Sequence, residues 1–512
     1  MSYQREGVLA VGSGPILISL TKAWYESGES KITVYVTNKQ PTDAGEFKKL
    51  LEQALPGDPE ASLDILVTTG DGKENWEAIV RSFSFILYVS QHGDLEELQK
   101  LQAACIAEKK PLLPAMGLRG LGIAGPLIHP DSDGRWESAW RRVHSSVFPN
   151  DRGTQALSEI AASVLSNLIV YEWNKVVSGK NEADCNNQCY ILDPLTLEGS
   201  WHPFLPHPIV SGHEPVRTVT ELELALETNQ EPADTEAWFS YFSGLTSAVS
   251  GIFHKWEEDE LNQLPLSQCL VQPADPLSEG PTQLLPVIVR GGLTHLEARW
   301  ESGLAGLEAY IERMKPLLVS GLASYRPEDI RIGAGGSLAE AVGRGLIASL
   351  TEELSNRILH DELVVSRMEY TRIEDTHCRF YLNALSILEG EPLIAVGEPI
   401  FGLPAAWVRS GASWYGSVGL GLTHALRQSL QKALMKTEEA LISSVNWNDH
   451  KPQKVSISAC HPVWHASWLQ SAVHSLKQHR KRLEIIDLRC ESFLKEGPVG
   501  IFGVRLREEE SP

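Results

Sequence analysis

The chain has 512 residues, too many for one hydrophobic core, so two or three domains are expected. Hydrophobic residues make up 42% and charged residues 22%, the balance of an ordinary globular protein rather than a disordered or fibrous one. The formal charge of −21 opposes a nucleic-acid backbone as partner and suits a basic peptide or protein.

The amino terminus carries no basic-then-apolar leader, and no apolar run approaches the ~18 residues needed to cross a bilayer. A cytoplasmic protein without membrane contact is the expectation. The seven cysteines are scattered, which does not read as a disulfide framework. Cys185 and Cys189 form a lone CxxxC without a second pair to complete a zinc site, so no metal is expected.

In chain order, the apolar strand VLAV at 8–11 leads into Gly12-Ser-Gly14-Pro and then a stretch with helical spacing that ends at Gly28. Strands follow at 32–36, 64–69 and 83–90, then a helix at 94–110 and the strand PLLPA. Strands alternating with helices predict a parallel sheet covered by helices, ending near residue 150. The strand-Gly-x-Gly turn lets backbone approach a phosphate at a helix amino terminus. Here, however, the third glycine position is Leu17, and Thr37, Asn38 and Lys39 stand where a ribose-binding acid is expected. Gly12 and Gly14 are therefore the remnant of a phosphate loop.

Residues 151–285 predict one helix (155–176) and then a connector rich in Pro, Asn, Glu and Asp. His202 and His207, set among prolines and aromatics in GSWHPFLPHP, read as packing residues. From 286 to 512 the pattern is α+β: helices at 293–322, 337–358 and 423–444, strands around 378–388 and 393–397, and a strand-helix-strand tail. Three of the helices open alike, as GLTHLEARWESGLAGLEAYIERM, GAGGSLAEAVGRGLIASLTEELSNR and GLGLTHALRQSLQKALMKTEE. Each has a glycine-rich turn, a Ser or Thr near the helix start and small residues at helical spacing. Close helix packing explains that much without a ligand.

The run from Val8 to Trp140, including LYVSQHGD and PLLPAMGLRGLGIAGPLIHPDSDGRWESAW, resembles the ThiF/MoeB branch of ubiquitin-activating-type adenylating enzymes. In place of that family's zinc-binding cysteine pair it has Arg135 to Ala139. The triple helix opening resembles the YcaO family, whose members use ATP to convert Cys, Ser and Thr of a precursor peptide into azoline rings. In that family such helices direct carboxylates at Mg-ATP, because a metal-bound triphosphate needs several hard oxygen ligands at once.

Carried over without gaps, the family positions fall on Ala305, Glu308 and Ala309 in the first helix. They fall on Ala348, Thr351 and Glu352 in the second, and on Lys432 and Met435 in the third. Only Glu308 keeps its carboxylate. A slipped register would recruit Glu312 and Arg313 in the first helix, and Glu352 with Arg357 in the second.

The resemblance thus implies an α/β Rossmann-like (ThiF/MoeB-type) amino-terminal domain, 1–150, joined through 151–285 to an α+β YcaO-like carboxy-terminal domain, 286–512. The combination is similar to thiazole-containing bacteriocin maturation proteins of azole-peptide gene clusters. Those usually carry a leader-binding winged-helix domain in front, for which the expected amino terminus leaves no room.

The function implied is an accessory protein that presents a precursor peptide to a partner cyclodehydratase and activates it. It would have no catalytic residues and no cofactor, and a homodimer is among the arrangements admitted. The alternative is a cyclodehydratase with a divergent site of Glu308, Glu312, Arg313 and Glu352, using ATP and Mg. A third reading is an adenylating enzyme acting through the first domain.

Overall fold

In the computed structural model, residues 7–509 are described except 38, 69–73, 133, 150–155, 180–183, 224–225, 227–233, 323–324, 361–363, 438–440, 443–444, 449–451 and 461–465. The chain forms two compact units. The first holds Met1–Gly212 with Ala248–Gly251 and Ser278–Leu284; the second holds the remainder. The segment 151–285 is thus not a separate body, and its residues are shared between both units.

The first unit is built on an eight-stranded mixed sheet. Its strands are β1 (Val8–Gly12), β2 (Lys31–Val36), β3 (Ser62–Val67), β4 (Phe85–Ser90), β5 (Leu112–Leu118), β6 (Leu121–Ala124), β7 (Gln188–Leu192) and β8 (Gly199–Pro203). The order is β3-β2-β1-β4-β5-β6-β7-β8. Strands β1 to β5 are parallel, whereas β6, β7 and β8 add antiparallel. The sequence order reverses between β1 and β4, the place where doubly wound sheets open a crevice at their carboxyl ends.

Helices α1 (Pro15–Glu26) and α6 (Glu159–Val177) cover one face, where Trp24 and Trp173 meet with ring centroids 4.3 Å apart. Between them in sequence lie α2 (Ala44–Ala54), α3 (Trp76–Val80), α4 (Leu95–Ala107) and α5 (Trp136–Arg142). Strand alternation sends Val34 and Val36 into the α1/α6 core and Tyr35 into the core of the opposite face. Cys185 belongs to the first of these cores and Cys189 to the second. The CxxxC pair therefore cannot converge on one ion.

His207 is buried and caps the short helix α7 (Pro208–Ser211), its Nδ1 accepting from the Ile209 amide at 3.3 Å. His202 hydrogen-bonds the Ser200 hydroxyl at 2.9 Å.

The second unit contains three sheets. Strands β10 (Phe253–Glu257), β11 (Ser267–Pro273) and β12 (Ile288–Gly292) form an antiparallel trio. A four-stranded sheet runs β13 (Arg331–Gly335), β22 (Gly500–Glu508), β21 (Lys481–Asp487) and β9 (Arg217–Thr218). A seven-stranded sheet has β14 (Val364–Ile373), β15 (Leu393–Gly397), β16 (Ala405–Ser410) and β17 (Ser413–Val418) at its centre. The short β18 (Leu441–Ile442) and β19 (Asn446–Trp447) close its two ends, and β20 (Gln453–Ile457) pairs with β14.

The helices of this unit include α8 (Thr235–Leu245), α9 (His295–Val319), α10 (Leu338–His360), α11 (Thr376–Glu389) and α12 (Leu422–Met435). The segment 378–388, expected as strand, lies within α11. Asp375 caps it, its carboxylate accepting from the Cys378 amide. The buried residues Cys378, Tyr381, Leu382 and Leu385 recur at 3- and 4-residue intervals, so helical burial overrides the aromatic content.

Helix α12 ends at Met435, earlier than expected, because Lys436 takes a left-handed conformation (φ 53°). Helix α10 lies very close to β13: a Cβ on Gly333 would stand 2.0 Å from the Ala341 carbonyl oxygen and 2.4 Å from the Gly345 nitrogen. Glycine at 333 is what allows the approach.

Among the described residues no helix is long and apolar enough to cross a membrane.

Candidate functional site

At the β1/β4 crevice of the first unit the glycine turn is covered by its own chain. The Gly14 amide donates to the Thr42 hydroxyl at 2.8 Å, and a Cβ on Gly14 (φ 73°) would meet the Gln40 side chain at 2.5 Å. A Cβ on Gly12 would stand 2.3 Å from the Val89 carbonyl oxygen. Lys39 pairs with Asp94 at 2.9 Å across the same edge. These glycines serve backbone packing, and Thr42 holds the amide that a phosphate oxygen would otherwise take. Asn38, from the expected ribose-binding position, lies outside the described residues.

The second unit holds a cavity of about 620 Å³ lined mainly by α9, α10, α11 and α12. The three related helices contribute to it at matching places. Counting from the residue before each helix (Thr294, Ser337 and Gly421), the third position carries Glu297, Glu340 and His424. The seventh carries Glu301, Arg344 and Gln428, and all six side chains line the cavity. The eleventh and fourteenth positions are Ala305 and Glu308, Ala348 and Thr351, and Lys432 and Met435. Of these, Glu308, Ala348, Thr351 and Lys432 line it.

Four glutamates therefore face one cavity, rather than Glu308 alone. Three of them stand one or more turns nearer the helix starts than the family positions. Each is held by the protein's own donors.

Two belong to capping boxes of a shifted kind, in which the carboxylate reaches the amide one residue before the cap. The Thr294 hydroxyl accepts from the Glu297 amide at 3.1 Å, and the Glu297 carboxylate accepts from the Leu293 amide at 2.8 Å. The Ser337 hydroxyl accepts from the Glu340 amide at 3.2 Å, and Glu340 accepts from the Gly336 amide at 2.9 Å. Their other oxygens are also engaged, Glu297 with His377 at 3.3 Å and Glu340 with the Trp300 indole N–H at 3.0 Å. Burial opposes the Glu297 carboxylate, but His377 and the Leu293 amide hold it below the ordinary glutamate range. Burial pushes Glu340 above that range, with Arg344 and Trp300 acting against it.

The remaining two clamp Arg344. Its Nε and Nη2 donate to the two oxygens of Glu308 at 2.8 and 3.2 Å, and its Nη1 donates to Glu301 at 2.6 Å. Glu308 also accepts from the Ala334 amide at 3.0 Å. Burial works against the guanidinium, yet the two carboxylates hold it well above the usual arginine range. On the far wall Arg427 donates to the buried Asp375 at 2.6 Å, and Lys432 donates to the Gly416 carbonyl at 3.4 Å. Burial and Arg427 push His424 down to about 4, leaving a neutral imidazole at physiological pH.

The slipped-register residues lie elsewhere. Glu312 pairs with Lys315 at 2.5 Å, Arg313 with Asp275 at 2.8 Å, and Glu352 with Arg331; none of the three lines the cavity. Glu308 is the one member of that set in the cavity wall.

Mg-ATP, which the family resemblance of the sequence implies, needs several carboxylate oxygens turned toward one point and free of other cations. Among the described residues no group of three His, Cys, Asp or Glu side chains is placed to hold a metal ion. A guanidinium separates the carboxylates of Glu301 and Glu308, and amides occupy those of Glu297 and Glu340. The donor set does not fit a chelated divalent cation.

No protein-family model matches this chain, and no curated protein matches it significantly. Among solved structures, one described as a heterocyclase in complex with substrate and cofactor aligns with 98% of this chain and 81% of its own length, at TM-score 0.60 and 11% identity. The heterocyclase TruD aligns with 98% of this chain and 78% of its own, at TM-score 0.53 and 12% identity. At such identities the likeness is one of fold, and it extends over nearly the whole chain.

Proposed function

We propose that this protein is an accessory factor in the maturation of azole-modified peptides. A ThiF-like first unit and a YcaO-like second unit would present a precursor peptide to a partner cyclodehydratase and raise that enzyme's activity. The observation that carries the reading is the Arg344 clamp, which commits two of the four cavity glutamates to an internal cation. Two capping boxes commit the other pair. An enzyme that activates an amide with Mg-ATP needs such oxygens available to the metal. Support for the pathway is the heterocyclase-like fold along nearly the whole chain together with the sequence resemblance.

The test is reconstitution with the neighbouring precursor peptide and cyclodehydratase, following azoline formation by mass. Ring formation rises on addition of this protein, and a pull-down captures the precursor. A rate unchanged by its omission rejects the reading.

One observation favours a second reading, an ATP-dependent cyclodehydratase with a divergent site. Four glutamates face a single cavity large enough for a small-molecule ligand. Azoline formation and ATP consumption by this chain alone with the precursor would establish it.

A further inference from the structure

We infer that Arg344 is a built-in cation that takes the place of a divalent ion in the α9/α10 wall, so that whatever enters this cavity binds without a metal. The family resemblance of the sequence leads one to expect a metal there, and the residues disagree. The inference uses the same cavity as the accessory reading but goes beyond it, since it concerns what the cavity accepts and not which enzyme the protein assists.

Charge and geometry both point this way. Two carboxylates from one helix, seven residues and two turns apart, face the same side. Left alone in a half-buried wall they would repel each other and each would carry a desolvation cost. A hard divalent cation would relieve both. So does a guanidinium, whose planar fork can bind one carboxylate at two points and still donate to a second. Arg344 does this from the facing helix: two hydrogen bonds reach Glu308 and one reaches Glu301, all between 2.6 and 3.2 Å.

Its side chain is only 16% exposed, so water screens the cluster weakly. The Ala334 amide on Glu308 further fixes the clamp to β13. A metal would have to displace a cation that is already desolvated, hydrogen-bonded and held in the charged state. The positive charge contributed by Arg344 is also permanent, whereas a metal-bound polyphosphate would bring its own. The cavity as built therefore suits a ligand that arrives without a chelated cation. Arg344 acts here as a positioning residue that fixes two carboxylates, and no reacting group is assigned to it.

The test is Mn²⁺ titration of the full chain, followed by electron paramagnetic resonance of free Mn²⁺ and by thermal melting. Wild type shows no saturable site that depends on Glu301 or Glu308, and its Tm does not move with Mn²⁺. Arg344→Ala, and Arg344→Met as the variant that keeps aliphatic volume, gain one site each and melt higher with Mn²⁺. Adding Glu301→Gln to either variant lowers that affinity at least tenfold. If the variants fold only when Mn²⁺ is present during refolding, that result also supports the inference.

Saturable Mn²⁺ binding by wild type that Glu301→Gln or Glu308→Gln abolishes overturns it. So does a folded Arg344 variant that gains no site, and so does failure of both variants to fold with Mn²⁺ present. Because the readout is metal binding, failure here leaves the peptide-maturation assay unaffected, and a negative result in that assay leaves this inference intact.

Discussion

Glu308 and Arg344, 36 residues apart in sequence, meet through two parallel hydrogen bonds that tie helix α9 to helix α10. Glu301 completes the cluster at 2.6 Å. This contact holds the cavity wall together and gives the first prediction.

Replacing Glu308 with Ala leaves a buried guanidinium with one counterion and should destabilise the second unit by about 2–4 kcal/mol. Glu308→Gln should cost less, because the amide oxygen still accepts. Urea denaturation checks this. In a double-mutant cycle with Arg344→Ala, a coupling below about 0.5 kcal/mol would show that the pair is not an energetic unit.

The two capping boxes should each contribute a cap's worth of stability. Thr294→Ala and Ser337→Ala are expected to cost about 1 kcal/mol apiece, and the two effects should add because each cap serves its own helix. Serine at 294 should restore most of the loss. A neutral effect of both alanines on the denaturation midpoint would contradict the assignment.

Gly333→Ala should be severe, about 3 kcal/mol or more, because the added Cβ meets backbone atoms of α10 at 2.0–2.4 Å and backbone cannot rotate away. Gly28→Ala, whose Cβ would meet nothing within 4 Å, should be limited to the strain of its φ of 88°. A comparison of the two melting curves distinguishes a close approach from a conformational requirement.

His424 supplies the pH dependence. Its folded value, about 4, lies below the unfolded 6.5, so the unfolded chain binds the extra proton between those values. Stability is therefore present above about pH 6.5 and is lost as the pH falls through about 4, by about 3 kcal/mol. His424→Gln should flatten that part of the profile. The contributions of Glu297 and Asp375, whose carboxyls are held below their ordinary values, are lost at the acid end of the range and should remain. An unaltered slope between pH 6.5 and 4 in the variant would remove His424 from the account.

Much of the first unit is legible in local sequence. Apolar strands at 8–11, 32–36 and 83–90 are legible from hydrophobic period, and their alternation with helices predicts a parallel sheet, though not the order of its strands. The segment 378–388 misleads, because a buried helical stripe with Phe380 and Tyr381 has the aromatic content of a strand. Its decisive signal is Asp375, a cap three residues before Cys378. Two cavity glutamates carry the same kind of signal: Thr294-x-x-Glu297 and Ser337-x-x-Glu340 are capping-box spacings, legible in four consecutive residues.

Periods and caps spanning a few residues make the early strand-helix alternation, the helix starts and the repeated design of three helices readable from the chain alone. The sequence also placed Glu308 among the candidates. Which carboxylates share a cavity, and what neutralises them, is settled by packing between distant segments. Arg344 lies 43 and 36 positions along the chain from Glu301 and Glu308, and no local rule links residues so far apart. Whether a glutamate is available to a ligand depends on which donor arrives first, and that is a property of how α9 packs on α10.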